Sequence, residues 1–210
     1  GFINTNQATL TTGRPEIDQQ SGRLTGFRVE GGHIAINGAG MDASRANYTN
    51  IISRSASVNA GIWANDLQFT TGRNMVSPDG KQATPLDGQG EKMGVALEVS
   101  ELGGMYAGYI KLIGTEKGLG VRNAGEIVAQ AGEVVISADG KLSSSGVISG
   151  KSGVTMSFGD GIANSGRVQS SGDIFATANG AVENAGEFVS AKNVSLSGTE
   201  FQNTGSIQMN

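Results

Sequence analysis

Apolar and polar residues alternate in short runs along the second half of the chain. The clearest runs are Val134–Ser137, Val154–Ser157, Ile174–Thr177 and Val194–Ser197. In each, the first and third positions are apolar: Val134 and Ile136, Val154 and Met156, Ile174 and Ala176, Val194 and Leu196. The position between them is mixed: Val135, Thr155, Phe175 and Ser195. Strand side chains alternate between two faces, so the uniformly apolar set is expected to face a core and the mixed set solvent. A second series of short β-type runs precedes these, at Glu126–Ala129, Val147–Ser149, Arg167–Ser170 and Glu187–Ser190. No stretch carries the 3.6-residue rhythm of an amphipathic helix.

These runs recur at a nearly fixed interval. Five similar lines begin at Val121, Leu142, Ile162, Val182 and Phe201, in steps of 21, 20, 20 and 19 residues. A period near 20 residues is the mark of a solenoid in which each repeat is one coil stacked on the last. With two short strands per coil and no helix, the pattern predicts an all-β, right-handed parallel β-helix. Every line carries a small polar pair and a glycine at the same place: Asn123-Ala124-Gly125, Ser144-Ser145-Gly146, Asn164-Ser165-Gly166, Asn184-Ala185-Gly186 and Asn203-Thr204-Gly205. Glycine there is expected to supply the positive φ of a tight corner. With coils about 4.8 Å apart, the four asparagines are placed to form a ladder of side-chain amides, broken at Ser144. A calcium-binding reading of these corners fails, because the glycine-rich calcium repeat needs an aspartate in every turn.

The first half is less regular. Phe2–Asn4, Ala8–Thr11, Phe27–Val29, His33–Ile36, Ile51–Ser53, Ser57–Asn59 and Leu67–Thr70 read as strands, and Thr12-Gly13-Arg14-Pro15 as a turn. Trp63 and Phe69 are expected as core or core-edge anchors, with a sugar-binding tryptophan as the alternative for Trp63. The rhythm breaks between Asn74 and Ser100, where Ser77-Pro78-Asp79-Gly80-Lys81 is a strong turn signal and Pro85, Gly88 and Gly90 keep the chain irregular. A loop or hairpin excursion from the solenoid wall is expected over 74–100, with Val95–Val99 returning as a strand.

Composition narrows the function classes. The 210 residues include 34 glycines and 3 prolines, which without a collagen period means turns and short strands. A net charge of −4 argues against a nucleic-acid footprint, which would be basic. No apolar run is long enough for a membrane-spanning helix, so no membrane insertion by this segment is expected. The chain has no cysteine, hence no disulfide framework and no thiolate metal site. Its opening at Gly1 reads as mid-pattern, as expected of a piece of something longer.

Catalytic and cofactor chemistry finds little purchase. His33 is the single histidine and sits in an alternating strand, GGHIAING. The glycine pairs Gly38-Ala39-Gly40 and Gly118-Leu119-Gly120 lack the following helix that a phosphate cradle needs. No metal-ligand spacing is present. The expectation is no enzyme, no catalytic, cofactor-binding or metal residue, and no cofactor. The alternative is a β-helical polysaccharide lyase or hydrolase, which needs carboxylates converging on one groove. Asp42, Asp66, Asp139, Asp160 and Asp173 are instead scattered among turns.

Three longer segments carry a family resemblance: GFINTNQATLTTG at the start, VNAGIWANDLQFTTGRN over Val58–Asn74, and LGGMYAGYIKLIGTEKGLGVRNAGEI over Leu102–Ile127. They resemble the haemagglutinin-type exoproteins of bacterial two-partner secretion, the family of filamentous haemagglutinins, secreted haemolysins and contact-dependent growth inhibition effectors. The resemblance divides the chain into the end of a secretion domain over 1–120 and degenerate repeats over 121–210. In that family an Asn-Pro-Asn-Gly motif and a cysteine pair precede GFIN, and this sequence starts after them. The resemblance implies a structural shaft segment of a large exoprotein serving adhesion or contact-dependent toxin delivery. It also implies an outer-membrane two-partner-secretion transporter as partner during export, the target-cell surface as partner of the intact protein, and a secreted, cell-surface location.

Overall fold

The computed structural model describes residues 5–87 and 94–210. Among them there is no helix; parallel strands stack into a β-solenoid with three walls, each an eight-stranded sheet. One coil visits the walls in turn, as in Glu133–Ala138, Leu142–Ser144 and Val147–Gly150. The fold is therefore the expected all-β parallel β-helix. The sequence reading of two strands per coil is corrected to three. In the regular coils the extra strands span three residues, as in Leu142–Ser144 and Ile162–Asn164, or four, as in Ala181–Asn184, too few for alternation to stand out.

The core runs along the axis as rows of like residues. On the first wall, Val134, Val154 and Ile174 pair in register, as do Ile136, Met156 and Ala176, and all are buried. Val194 and Leu196 continue the rows and pack against the same core while partly exposed. Leu142, Ile162 and Val182 line the second wall, and Ile127, Ile148, Val168 and Phe188 the third. Each of the larger side chains among them contributes about 1.5–3 kcal/mol on leaving water. Phe175 points outward at 47% exposure, as the alternation predicted.

The repeat glycines play a different part from the one expected. The glycines with positive φ lie elsewhere, at Gly38, Gly72 and Gly80 for example, and not at the repeat corners. What the corner requires is closeness. A Cβ on Gly146, Gly166, Gly186 or Gly205 would stand 2.0 Å from the carbonyl oxygen of the equivalent glycine one coil earlier. Only a residue without a side chain lets consecutive corners nest at the sheet spacing.

Beside this glycine column lies the asparagine ladder. Asn164 Nδ2 donates to Asn184 Oδ1 at 2.9 Å, and Asn184 Nδ2 donates to Asn203 Oδ1 at 2.8 Å. Each amide also donates to carbonyls of its own and the following corner, such as Glu187 O from Asn164 and Ser206 O from Asn184. Asn123 meets the Ser144 hydroxyl in place of an amide, at 3.3 Å, besides donating to Val147 O at 3.2 Å, and its own Oδ1 is buried without a partner. Ser144→Asn restores the missing rung in a site shaped for it. It is expected to stabilise the fold by about 1 kcal/mol, read as a higher denaturation midpoint at unchanged slope.

Two segments leave the solenoid, and they meet. Both depart at the corner between the first and second walls, one after Gln7–Thr11 and one after Asp66–Thr71. Arg14–Ile17 and Leu24–Val29 form one hairpin-like pair and Asn74–Val76 and Ala83–Pro85 another, and Leu24–Val29 pairs antiparallel with Asn74–Val76 to join them into a four-stranded sheet. Arg14 and Pro15, read from sequence as part of a turn, thus open an edge strand. Both edges carry a proline, Pro15 and Pro85, which blunts further strand addition. The excursion expected over 74–100 is present, but it docks on its counterpart instead of standing alone. Val95–Val99 returns to the second wall as expected. The readings for Phe2–Asn4, Gly88 and Gly90 lie outside the described residues.

Candidate functional surface

The added sheet covers part of the outer face of the first wall, over its first coils, and makes a second core there. Val29, Ile52 and Val76 are buried together, with Phe27 and Ala83 packed against them. Three amide side chains on consecutive coils hold the 77–81 turn down. Gln7 Nε2 donates to Pro78 O at 2.9 Å, Asn50 Nδ2 donates to Asp79 O at 3.2 Å, and Gln68 Nε2 donates to Gly80 O. Gly80 has a φ of +74°, and a Cβ on it would meet the Asn50 amide carbon at 2.6 Å. A cleft of about 210 Å³ remains beside the turn, lined by Tyr48, Asp66, Lys81 and the same amides. Burial pushes the Asp66 carboxyl above the usual carboxylate range, against the pull of Lys81.

The corner where the second excursion leaves is locked by polar bonds. Arg54 binds Glu116 with Nε to Oε2 at 3.2 Å and Nη2 to Oε1 at 2.8 Å, and both side chains are largely buried. Thr115 donates its hydroxyl to Asn74 Oδ1 at 2.6 Å, while Asn74 Nδ2 donates to Thr71 O at 3.1 Å. Sequence reading missed this network because its members lie up to 62 residues apart.

The residues weighed for chemistry do not converge. His33 lies on the outer face of the second wall, its ring nitrogens 2.8 Å from Ser55 Oγ and 3.0 Å from Ser57 Oγ. Asp42 bonds Ser44, Asp139 accepts the Gly118 N–H at 2.8 Å, and Asp173 accepts from Asn193. Among the described residues no three His, Cys, Asp or Glu side chains gather as a metal site. Phe69 is buried as expected, but Trp63 is not a core anchor. Trp63 faces outward, 44% exposed, with its ring centroid 6.1 Å from that of Tyr106 and the planes 19° apart. The Tyr106 hydroxyl donates to Glu126, which pushes the phenol up to about 12. Alternation around GIW places Ile62 inward and hence Trp63 outward, a signal present in the sequence but outweighed there by the scarcity of aromatics.

Comparison with known proteins decides the family. The family model described as TPS secretion domain matches residues 1–144. This chain belongs to the TPS secretion domain family. Its relatives include "Toxin CdiA" of Yersinia pestis, 49% identical over 174 residues that make up 82% of this chain and 5% of that protein. Another is "tRNA nuclease CdiA-2" of Burkholderia pseudomallei (strain 1026b), 42% identical over 146 residues, 70% of this chain and 5% of the relative. The chain thus spans about a twentieth of the length of these relatives. The crystal structure of a filamentous hemagglutinin secretion domain superposes with a TM-score of 0.53 at 22% identity, covering 97% of this chain and 59% of that one. That likeness speaks for the fold. As a TPS secretion domain, the segment is part of a two-partner-secreted exoprotein, and all three segments quoted for that resemblance lie within the matched range.

Proposed function

We propose that this segment serves export and then forms the start of the shaft of a large bacterial exoprotein. The single observation that carries the reading is the family match over 1–144 joined to coils that continue in unbroken register to Met209. In this reading residues 1–120 are the secretion-domain portion and 121–210 the first regular coils. The chain crosses the outer membrane through its transporter partner in unfolded form and folds outside the cell. Coils that contact only their neighbours suit such a route, since folding can propagate along the stack as chain emerges. The absence of cysteine means that no oxidation step is required on the way. The intact protein is displayed at the cell surface and serves contact-dependent toxin delivery or adhesion to a target cell. The first of these draws on relatives named as a toxin and as a tRNA nuclease.

The segment itself is proposed to act as scaffold, without turnover and without binding nucleic acid. The dispersed carboxylates and the acidic balance support this. Deleting the partner transporter in the source bacterium tests the export reading: the full-length protein should vanish from surface and medium. Undiminished surface display would overturn it. A turnover on polysaccharides that is lost on changing one aspartate would instead establish the lyase alternative.

A further inference from the structure

On the third wall, Trp63 and Tyr106 start a straight stripe that the scaffold role leaves without a task. One outward row runs through the coils in register: Asp42, Trp63, Tyr106, Val128, Ser149, Gln169, Val189 and Gln208. The aromatic pair is built into its place. The benzene half of the Trp63 indole passes over Gly61, where a Cβ would stand 2.4 Å from Cη2. The Tyr106 ring passes over Gly104 in the same way, where a Cβ would stand 2.6 Å from the hydroxyl oxygen. Both rings therefore lean along their own strands on a floor without side chains. The bond to Glu126 holds the second ring further. Past the rings, the row becomes a shallow groove of about 450 Å³ floored by Val128, Ser149 and Gln169, with Gln130 and Lys151 at its rim.

We infer that this stripe is a binding site for a straight, extended polysaccharide lying parallel to the solenoid axis. The two rings offer apolar faces to the C–H surface of pyranose rings. Asp42 and Glu126 beside them, and Ser149 and Gln169 beyond, offer hydrogen-bond partners to hydroxyls and amides. The coil rise of about 4.8 Å is close to the length of one sugar residue, so successive sugars meet successive coils. A β-1,4-linked chain of glucose or N-acetylglucosamine is straight enough to follow such a row, and an α-1,4-linked chain coils away from it. A protein partner fits less well, because beyond Val128 the row is broken by Ser149 and Gln169 and offers no continuous apolar area. A simple cation fits less well too, since among the described residues no three His, Cys, Asp or Glu side chains gather here.

Trp63 is the single tryptophan, so its fluorescence reports on the site alone. Titration with cellohexaose or chitohexaose should give a saturable change, and the matching disaccharide should bind about tenfold more weakly or worse. Tyr106→Ala, which keeps the reporter, should weaken the hexaose about tenfold. Gln169→Ala should weaken the hexaose and leave the trisaccharide unaffected. Calorimetry on Trp63→Phe, which preserves an aromatic face, should retain most of the affinity, and on Trp63→Ala it should lose it. Maltohexaose should give no saturable change. The proposal is overturned by an absence of saturation with both extended hexaoses, by binding indifferent to Tyr106→Ala, or by an equal response to a lysine-rich peptide.

Discussion

Ile174→Asp should destabilise the solenoid by about 4 kcal/mol, while Phe175→Asp, one residue away, should cost less than about 1 kcal/mol. Ile174 is fully buried, with Val154 and Val194 directly before and after it in the row. A carboxylate there has no partner and no water, and the two flanking coils cannot close around it. Phe175 stands 47% exposed between Thr155 and Ser195, so a carboxylate in its place stays solvated. Equilibrium unfolding in urea separates the two variants. Equal and negligible losses would refute the coil assignment, and a larger loss at Phe175 would mean that the register is shifted by one residue.

Gly166→Ala should be nearly as damaging, at about 3 kcal/mol, although it adds one methyl group. The new Cβ would lie 2.0 Å from Gly146 O and 2.6 Å from the Ser145 carbonyl carbon. Neither can give way, since both belong to the backbone of the neighbouring coil. Relief requires parting the two coils, with loss of ladder bonds on both sides. Gly31→Ala is the matched control: nothing lies within 4 Å of its Cβ and its φ is not in the left-handed region. That substitution should change stability by less than about 0.5 kcal/mol. Thermal unfolding of the pair compares them directly. Similar midpoints would show that close corner packing does not set glycine at this position.

The regular coils were legible because three independent signals coincide in them: alternation, period and a fixed corner. Val134, Ile136, Val154, Met156, Ile174 and Ala176 follow directly from alternation, since a strand buried on one face has no other way to sort its side chains. The second-wall strands of the regular coils were not legible as strands. Three residues such as Leu142-Ser143-Ser144 hold one apolar position, which is no pattern at all. The glycine corners were located correctly and explained wrongly, because a steric demand from the next coil and a torsional demand from the same residue leave the same letter in the sequence. The outer sheet was the hardest part. Its central contact joins Leu24–Val29 to Asn74–Val76, and no local periodicity encodes a pairing across so long a separation. The candidate stripe was visible only as one tryptophan. Its partners lie one coil apart, and the register that aligns them exists only in the folded state.

The outer sheet also changes how the rod responds to tension. A plain solenoid pulled from its ends peels one coil at a time, because each coil is held only by its neighbours. Here the excursion from the first coil is bonded to the excursion from the third, so load entering at Gln7–Thr11 is carried past the intervening coil, Tyr48–Trp63, and into Asn74–Val76. The strands of that bridge run antiparallel, and the amides of Gln7, Asn50 and Gln68 stitch it to three successive rungs. The first three coils thus yield together, as one rigid block, and at a higher force than the uniform stack after them. Strain is absorbed in the later coils, and the first three stay whole.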